Sequence, residues 1–230
     1  MPCLHYISSD SHVQEDELLI QNRVPIKYRH RVPHMEKRNG GDYFIAEGRK
    51  PRRFDLAEAN VNEDDLNREF RDDPNQGRDV SKRLEDQARD NVVGEVIYCN
   101  SLLAIAGSPD AAFQMEVARA YNDWIHEIFG SRPDRFAPAA ILPTIDVAAA
   151  VNEVVRVAKM GFKLVSSPIG IKDQPYNLPI YNPLWKALED AGIAFSLHFN
   201  TGTEDHLPDN PGEEHNGGFL SYMIISMAEG

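Results

Sequence analysis

Leu4-His5-Tyr6-Ile7-Ser8-Ser9-Asp10-Ser11-His12-Val13 reads as a short strand that ends in Asp10-x-His12. Successive side chains of a strand point to opposite faces, so Asp10 and His12 project to one side at its C-terminal end. His5 has the opposite parity and is expected to face away. A carboxylate oxygen and an imidazole nitrogen placed in this way can close on one divalent ion. Asp-x-His triplets are common by chance, and the remainder of the chain is what gives this one weight.

The 230 residues suffice for one large domain or two small ones. A hydrophobic content of 42% is ordinary for a soluble globular protein. The formal net charge of −12 argues against a general nucleic-acid binder, because phosphate contacts need a surplus of Lys and Arg. No apolar run reaches the length of about 18 residues that a membrane helix requires, so no membrane partner is expected. The opening MPCLHYISSD has neither the basic start nor the apolar centre of a signal peptide. Cys3 and Cys99 match no zinc spacing and no disulfide framework, a usage that fits reduced core thiols in a cytoplasmic protein.

Residues 14–79 read as a long, mostly irregular insertion loop after strand one, with one or two helical turns over Glu15–Ile20. Pro25, Pro33, Gly40-Gly41 and Pro51 punctuate it and leave room for short strands at most. Its first part is basic (Arg23, Lys27, Arg29, Arg31, Lys37, Arg38) and its later part acidic (Asp55, Glu58, Glu63, Asp64). Loose surface pairing of the two parts is the plain interpretation. The sharper one is that Arg29 or Arg31 reaches over the site and holds a substrate carboxylate. Loops of this length are uncommon unless functional or mobile.

From Val80 the pattern is regular. Val80–Asp90 reads as a helix and Asn91–Tyr98 as a β-branched strand. Ser108-Pro109-Asp110 starts a helix, with Ser108 as cap and Pro109 at its first position. Phe113, Val117, Tyr121, Trp124, Ile125 and Ile128 then recur at helical spacing as core positions, up to Gly130. Phe136–Leu142 is the next strand, and Asp146 caps a helix stopped by Gly161. Phe162–Ser166 is a strand, Asn182-Pro183 opens a helix ended by Gly192, and Ile193–Phe199 is the fifth strand. A last apolar segment, Phe219–Ala228, reads as helical.

Strands that alternate with helices form a parallel sheet through right-handed crossovers, either open and doubly wound or closed into a barrel. No G-x-G-x-x-G follows the first strand and no G-x-x-x-x-G-K-[ST] is present, so nucleotide-binding folds lose support. A (β/α)8 TIM barrel places functional residues at the C-terminal ends of several strands, which is where Asp10, His12 and His198 fall. Ala194 and Ser196 share the face of His198 and leave room inside a barrel, whereas Phe195, Leu197 and Phe199 are expected to pack outward. Two imidazoles and a carboxylate suit zinc, with manganese or iron as alternatives, and leave a position open for water. Water on such an ion ionises near neutral pH and attacks carbonyls.

The segments SSDSHVQE, RLEDQARDNVVGEVIY, AYNDWIHEIF, DRFAPAAILP, GFKLVSSP, YNPLWKALEDAGI and LHFNTGTE, in this order, carry a resemblance over nearly the whole chain. The chain resembles the amidohydrolase-related family, the branch of the amidohydrolase superfamily that includes the aminocarboxymuconate-semialdehyde and resorcylate decarboxylases. The resemblance implies a metal-dependent (β/α)8 barrel. It also implies a first-strand acid-x-His pair matched by Asp10 and His12, and a fifth-strand histidine ligand matched by His198. The family takes a further aspartate from its eighth strand and often a histidine near its sixth. Only five strands are read before Gly230, so the span 1–230 is expected to be one C-terminally incomplete barrel domain with its catalytic aspartate beyond Gly230.

Lesser positions complete the site reading. Lys163 lies near the start of its strand and is expected to be structural rather than a carboxylated metal bridge. His206 and His215 fall in an acidic, Pro/Gly-rich stretch and read as lid residues that could touch substrate, and Thr201-Gly202 as pocket floor. His126, inside a helix, reads as a surface residue. The leading expectation is a metal-dependent hydrolase of a C–N or C–O bond in a small organic substrate. Its rival is a non-oxidative decarboxylase of an aromatic or unsaturated carboxylic acid. A third possibility is an inactive partial barrel that binds a partner through an exposed strand edge. Any self-association is expected to be as a homo-oligomer.

Overall fold

The computed structural model describes residues 5–38, 41–53, 77–171 and 174–198. Five parallel strands form its main sheet, in the spatial order β1 (Tyr6–Val13), β5 (Val92–Cys99), β6 (Phe136–Ile141), β7 (Leu164–Pro168), β8 (Ala194–His198). A second, antiparallel sheet joins β2 (His34–Arg38), β3 (Gly41–Ile45) and β4 (Arg52–Arg53). The α-helices among the described residues are α1 (Glu17–Arg23), α2 (Val80–Asp90), α3 (Ala111–Phe129), α4 (Val147–Met160) and α5 (Asn182–Ala191). Among the described residues no helix is long and apolar enough to cross a membrane.

Each parallel pair is joined through a helix, and spatial neighbours follow chain order, as the right-handed crossover rule demands. The layout is the first five strands of a (β/α)8 barrel, curled rather than flat. Tyr98 Oη on β5 meets Ser196 Oγ on β8 at 3.1 Å, although β6 and β7 lie between. In a flat sheet three strand spacings would hold those two backbones about 14 Å apart.

The core lies between the outer face of this sheet and its helices. Phe113, Val117, Tyr121, Ile125 and Phe129 form the inner stripe of α3 and meet Ile97, Phe136 and Ile141. Val154 and Val157 of α4 and Leu184 and Leu188 of α5 extend it. Burial of each large side chain contributes about 1.5–3 kcal/mol. Phe195 packs outward as its parity requires, with its ring 4.9 Å from that of Trp185. Leu197, expected outward too, is 48% exposed, and Phe199 lies outside the described residues.

The helix ends follow short-range chemistry. Asp146 accepts from the Ala149 amide, and Gly161 and Gly192 close α4 and α5 in the left-handed conformation. The start of α3 differs from expectation: the cap is Asp110, which accepts from the Phe113 amide, while Ser108 Oγ accepts from the Asp110 amide. An aspartate there also answers a cation, because Asp110 Oδ2 receives Arg31 Nη1 at 2.8 Å.

The described part of 14–79 holds more regular structure than its prolines and glycines imply. It contains α1, a 3-10 segment over Ile26–Arg31 and the antiparallel sheet. Ile20, Val24, Tyr28 and Val32 are buried against the core, which supplies the energy that local propensity lacks. Gly48 (φ 77°) seals the contact with the 3-10 segment Leu102–Gly107, since a Cβ there would fall 1.9 Å from the Gly107 carbonyl oxygen.

Candidate metal centre

Asp10 and His12 lie in the C-terminal half of β1, and His198 is the last residue of β8. Asp10 Oδ1 lies 3.4 Å from His12 Nε2 and 3.5 Å from His198 Nε2. One ligand atom from each of the three residues falls within 4.8 Å of the others. Ligands about 2.1 Å from a tetrahedral ion stand about 3.4 Å apart, so the separations about Asp10 match those of a bound first-row cation. The donor set, one carboxylate and two imidazoles, has the right chemistry for such an ion.

The tautomer of His12 fits as well. Its Nδ1 lies 3.0 Å from the Cys99 carbonyl, which can only accept, so Nδ1 carries the proton and the Nε2 lone pair is left for the site. The His12 main chain is held too: its carbonyl accepts from Arg83 Nη2 at 2.8 Å, and Arg83 Nε is paired with Glu95 at 3.0 Å.

Simple alternation along β1 does not explain how Asp10 is aimed. The register with β5 shifts between Ser8 and Ser11, where Ser8 stands opposite Glu95 and Ser11 opposite Ile97. Three steps on β1 therefore match two on β5, which is a bulge. Ser8 Oγ and Ser11 Oγ meet at 3.3 Å, a contact that residues three apart on a regular strand cannot make. Asp10 sits in this bulge, and parity counted from His5 does not carry through it.

Two residues absent from the expected set shape the site. Tyr98, opposite His12 in the register, is buried with its ring 5.1 Å from that of His198 and 6.1 Å from that of His12. No local pattern marks Tyr98, because its place beside His12 comes from the register between β1 and β5. Glu15 is buried and accepts from the amides of Asn100, Ser101 and Leu102 and from Ser101 Oγ. Burial pushes its carboxyl above the ordinary range, and the hydrogen bonds from Ser101 and Asn100 pull it back. Burial also raises the Cys99 thiol well above its usual value, which makes it an inert core residue as expected; Cys3 lies outside the described residues.

Arg29 and Arg31 are not brought to the cluster. Arg29 donates to the carbonyls of Val24 and Asn22 at the end of α1. Arg31 grips Glu47 with two nitrogens and Asp110 with a third, and its guanidinium lies 4.4 Å from the Phe113 ring centre. Both arginines tie the 3-10 segment to its surroundings, because carboxylates and free carbonyls within reach satisfy their donors. Lys163 is exposed and precedes β7, in keeping with a structural role. His126 is half-buried, with its ring 5.7 Å from that of Phe162. Thr201, Gly202, His206, His215 and the segment Phe219–Ala228 lie outside the described residues.

Comparison with known proteins agrees with this architecture. Gamma-resorcylate decarboxylase from Rhizobium sp. (strain MTP-10005) is 39% identical over 102 residues, covering 41% of this chain and 31% of the relative. The enzyme of the same name from Rhodococcus jostii (strain RHA1) is 33% identical over 131 residues, covering 53% and 39%. The matched region thus spans between about a third and two fifths of those proteins' length. Among solved structures, an amidohydrolase from Mycobacterium avium subsp. paratuberculosis K-10 superposes with a TM-score of 0.65 at 19% identity, over 99% of this chain and 62% of its own. A 5-carboxyvanillate decarboxylase from Novosphingobium aromaticivorans DSM 12444, solved with bound manganese, gives 0.57 at 15% identity, over 85% and 51%. At these identities the two structures speak to the fold. The amidohydrolase family model matches residues 43–215, about three quarters of the sequence, and the chain belongs to that family.

Proposed function

We propose that this chain supplies the first five strands of a metal-dependent, non-oxidative decarboxylase acting on an aromatic hydroxycarboxylic acid. One observation carries it: Asp10, His12 and His198 converge at the strand ends of a chain whose sequence relatives are gamma-resorcylate decarboxylases. Hydrolysis of a C–N or C–O bond, the leading expectation from the residues alone, takes second place because those relatives are carboxy-lyases by name. Manganese is preferred to zinc, since the solved 5-carboxyvanillate decarboxylase carries it.

Asp10, His12 and His198 would hold the ion. When bound, it supplies positive charge that anchors the substrate's carboxylate and neighbouring oxygen. The Cys99 carbonyl keeps His12 in its ligating tautomer, and the buried Tyr98 ring forms an apolar wall beside both histidines. In the overall reaction a proton replaces the carboxylate on the ring carbon and carbon dioxide leaves, with no net oxidation or reduction. The carboxylate that handles this proton is proposed to come from a barrel strand outside the span, as the family resemblance implies.

The test is carbon dioxide release from 2,6-dihydroxybenzoate set against hydrolysis of amides and lactones. It is run with manganese on this span and on a version extended to eight strands. Decarboxylation without hydrolysis supports the proposal; hydrolysis without decarboxylation restores the other chemistry.

A further inference from the structure

We propose that Glu15 is a positioning residue for His12, acting through the single peptide group that joins Cys99 to Asn100. This rests on the metal-centre reading above. The carbonyl of that peptide, on Cys99, accepts from His12 Nδ1 at 3.0 Å. Its N–H, on Asn100, donates to Glu15 Oε1 at 2.8 Å. A peptide unit is planar and trans, so its N–H and C=O point in opposite directions and turn together. Holding the N–H therefore aims the carbonyl, and rotation of the unit would break both contacts at once.

The rest of the Glu15 environment makes the grip rigid. The Ser101 amide reaches it at 3.1 Å, Ser101 Oγ at 3.0 Å and the Leu102 amide at 3.4 Å. Every group that meets the carboxylate there is a donor, the pattern of an ionised acceptor. Negative charge at the N–H end polarises the amide and strengthens its carbonyl as an acceptor. A stronger acceptor keeps the His12 proton on Nδ1 and the Nε2 lone pair turned to Asp10, 3.4 Å away. Carboxylates that orient metal-bound histidines usually touch the ring directly; here one peptide bond stands between them. Glu15 and His12 both leave the end of β1 and grip the same turn after β5, so the device needs no residue from elsewhere.

The experiment pairs manganese titration of the protein with nitrogen-15 NMR of the metal-free histidine rings. Glu15→Gln keeps the size of the side chain and removes its charge. It is expected to weaken manganese binding about tenfold or more and to move His12 toward the Nε2-protonated tautomer. Ser101→Ala takes one donor from Glu15 but leaves the relaying peptide, and is expected to weaken manganese binding less than Glu15→Gln does. Glu153→Gln removes a buried charge in a separate network and controls for lost stability. Unchanged affinity and tautomer in Glu15→Gln would overturn the proposal. So would wild-type His12 carrying its proton on Nε2, a result that needs no variant to fold. Wild-type protein that binds no manganese overturns the metal-centre reading itself, while the tautomer of His12 still decides whether Glu15 acts on the ring.

Discussion

Asp10 and His198 stand on the first and last strands of the five-stranded parallel sheet that the described residues form, yet their side chains approach to 3.5 Å. Four strand spacings would separate those strands by about 19 Å if the sheet were flat. The contact exists because the sheet curls, and the three proposed ligands are the place where the curl becomes chemistry.

Metal addition is therefore expected to stabilise the fold. A ligand present at a hundred times its dissociation constant contributes about 2.7 kcal/mol. Thermal scans with manganese and with a chelator are expected to show a clear upward shift with the metal. The shift should vanish in His198→Ala, which removes the β8 side of the cluster. An equal shift in wild type and variant would mean that the ion binds elsewhere.

The hydroxyl pair below the cluster tests the curl directly. Tyr98→Phe deletes the 3.1 Å contact with Ser196 and keeps the ring. The expected loss is about 1 kcal/mol in urea unfolding. Tyr98→Ala, which also empties space beside both histidines, is expected to cost about 3–5 kcal/mol and to weaken manganese binding.

Behind the sheet, Asn122 holds a buried junction. Its side chain donates to the Ile141 carbonyl and to Glu153 and accepts from the Ile141 amide. Asn122→Ala would leave the strand amide unpaired and deprive a buried carboxylate of one donor, although Arg156 and Arg119 still reach that carboxylate. We expect a loss of about 2–4 kcal/mol, measured by denaturant titration, with manganese affinity unchanged.

Acid is expected to weaken the anchor of the 3-10 segment. Hydrogen bonds from Arg31 and from the Phe113 amide hold the Asp110 carboxyl below its ordinary value. Folded Asp110 therefore binds its proton less readily than unfolded Asp110 does. Its stabilisation is present above the unfolded pKa and is lost as pH falls toward the folded one. Asp110→Asn keeps a competent helix cap and removes the charge. The stability gap between wild type and Asp110→Asn should thus be widest near neutral pH and close as the pH falls through and below the ordinary carboxylate range. A gap independent of pH would show that Arg31 gains nothing from this partner.

Much of the helical and strand order was legible because it rests on contacts a few residues long. Asp146, Gly161 and Gly192 mark helix ends through hydrogen bonds to their own neighbours. Val80–Asp90 is legible from its charged outer face, and its ends are again local: Asp79 accepts from the Ser81 and Lys82 amides, and Asn91 closes the helix in the left-handed conformation. The start of α3 was misplaced onto Ser108 because the cap that won, Asp110, is chosen partly by Arg31, distant in sequence. The order within 14–79 was hidden for a similar reason: Ile20, Tyr28 and Val32 gain their stability from a core assembled elsewhere.

The amino-acid sequence by itself determined the alternation of strands and helices, the parallel sheet and the choice of Asp10, His12 and His198 as candidate metal ligands. Those properties follow from side-chain chemistry and local periodicity. Tertiary structure alone decided that β1 bulges to aim Asp10, that Arg31 serves Glu47 and Asp110, and that Glu15 grips the peptide behind His12. Each depends on the curl and packing of strands distant in sequence, which no short-range pattern encodes.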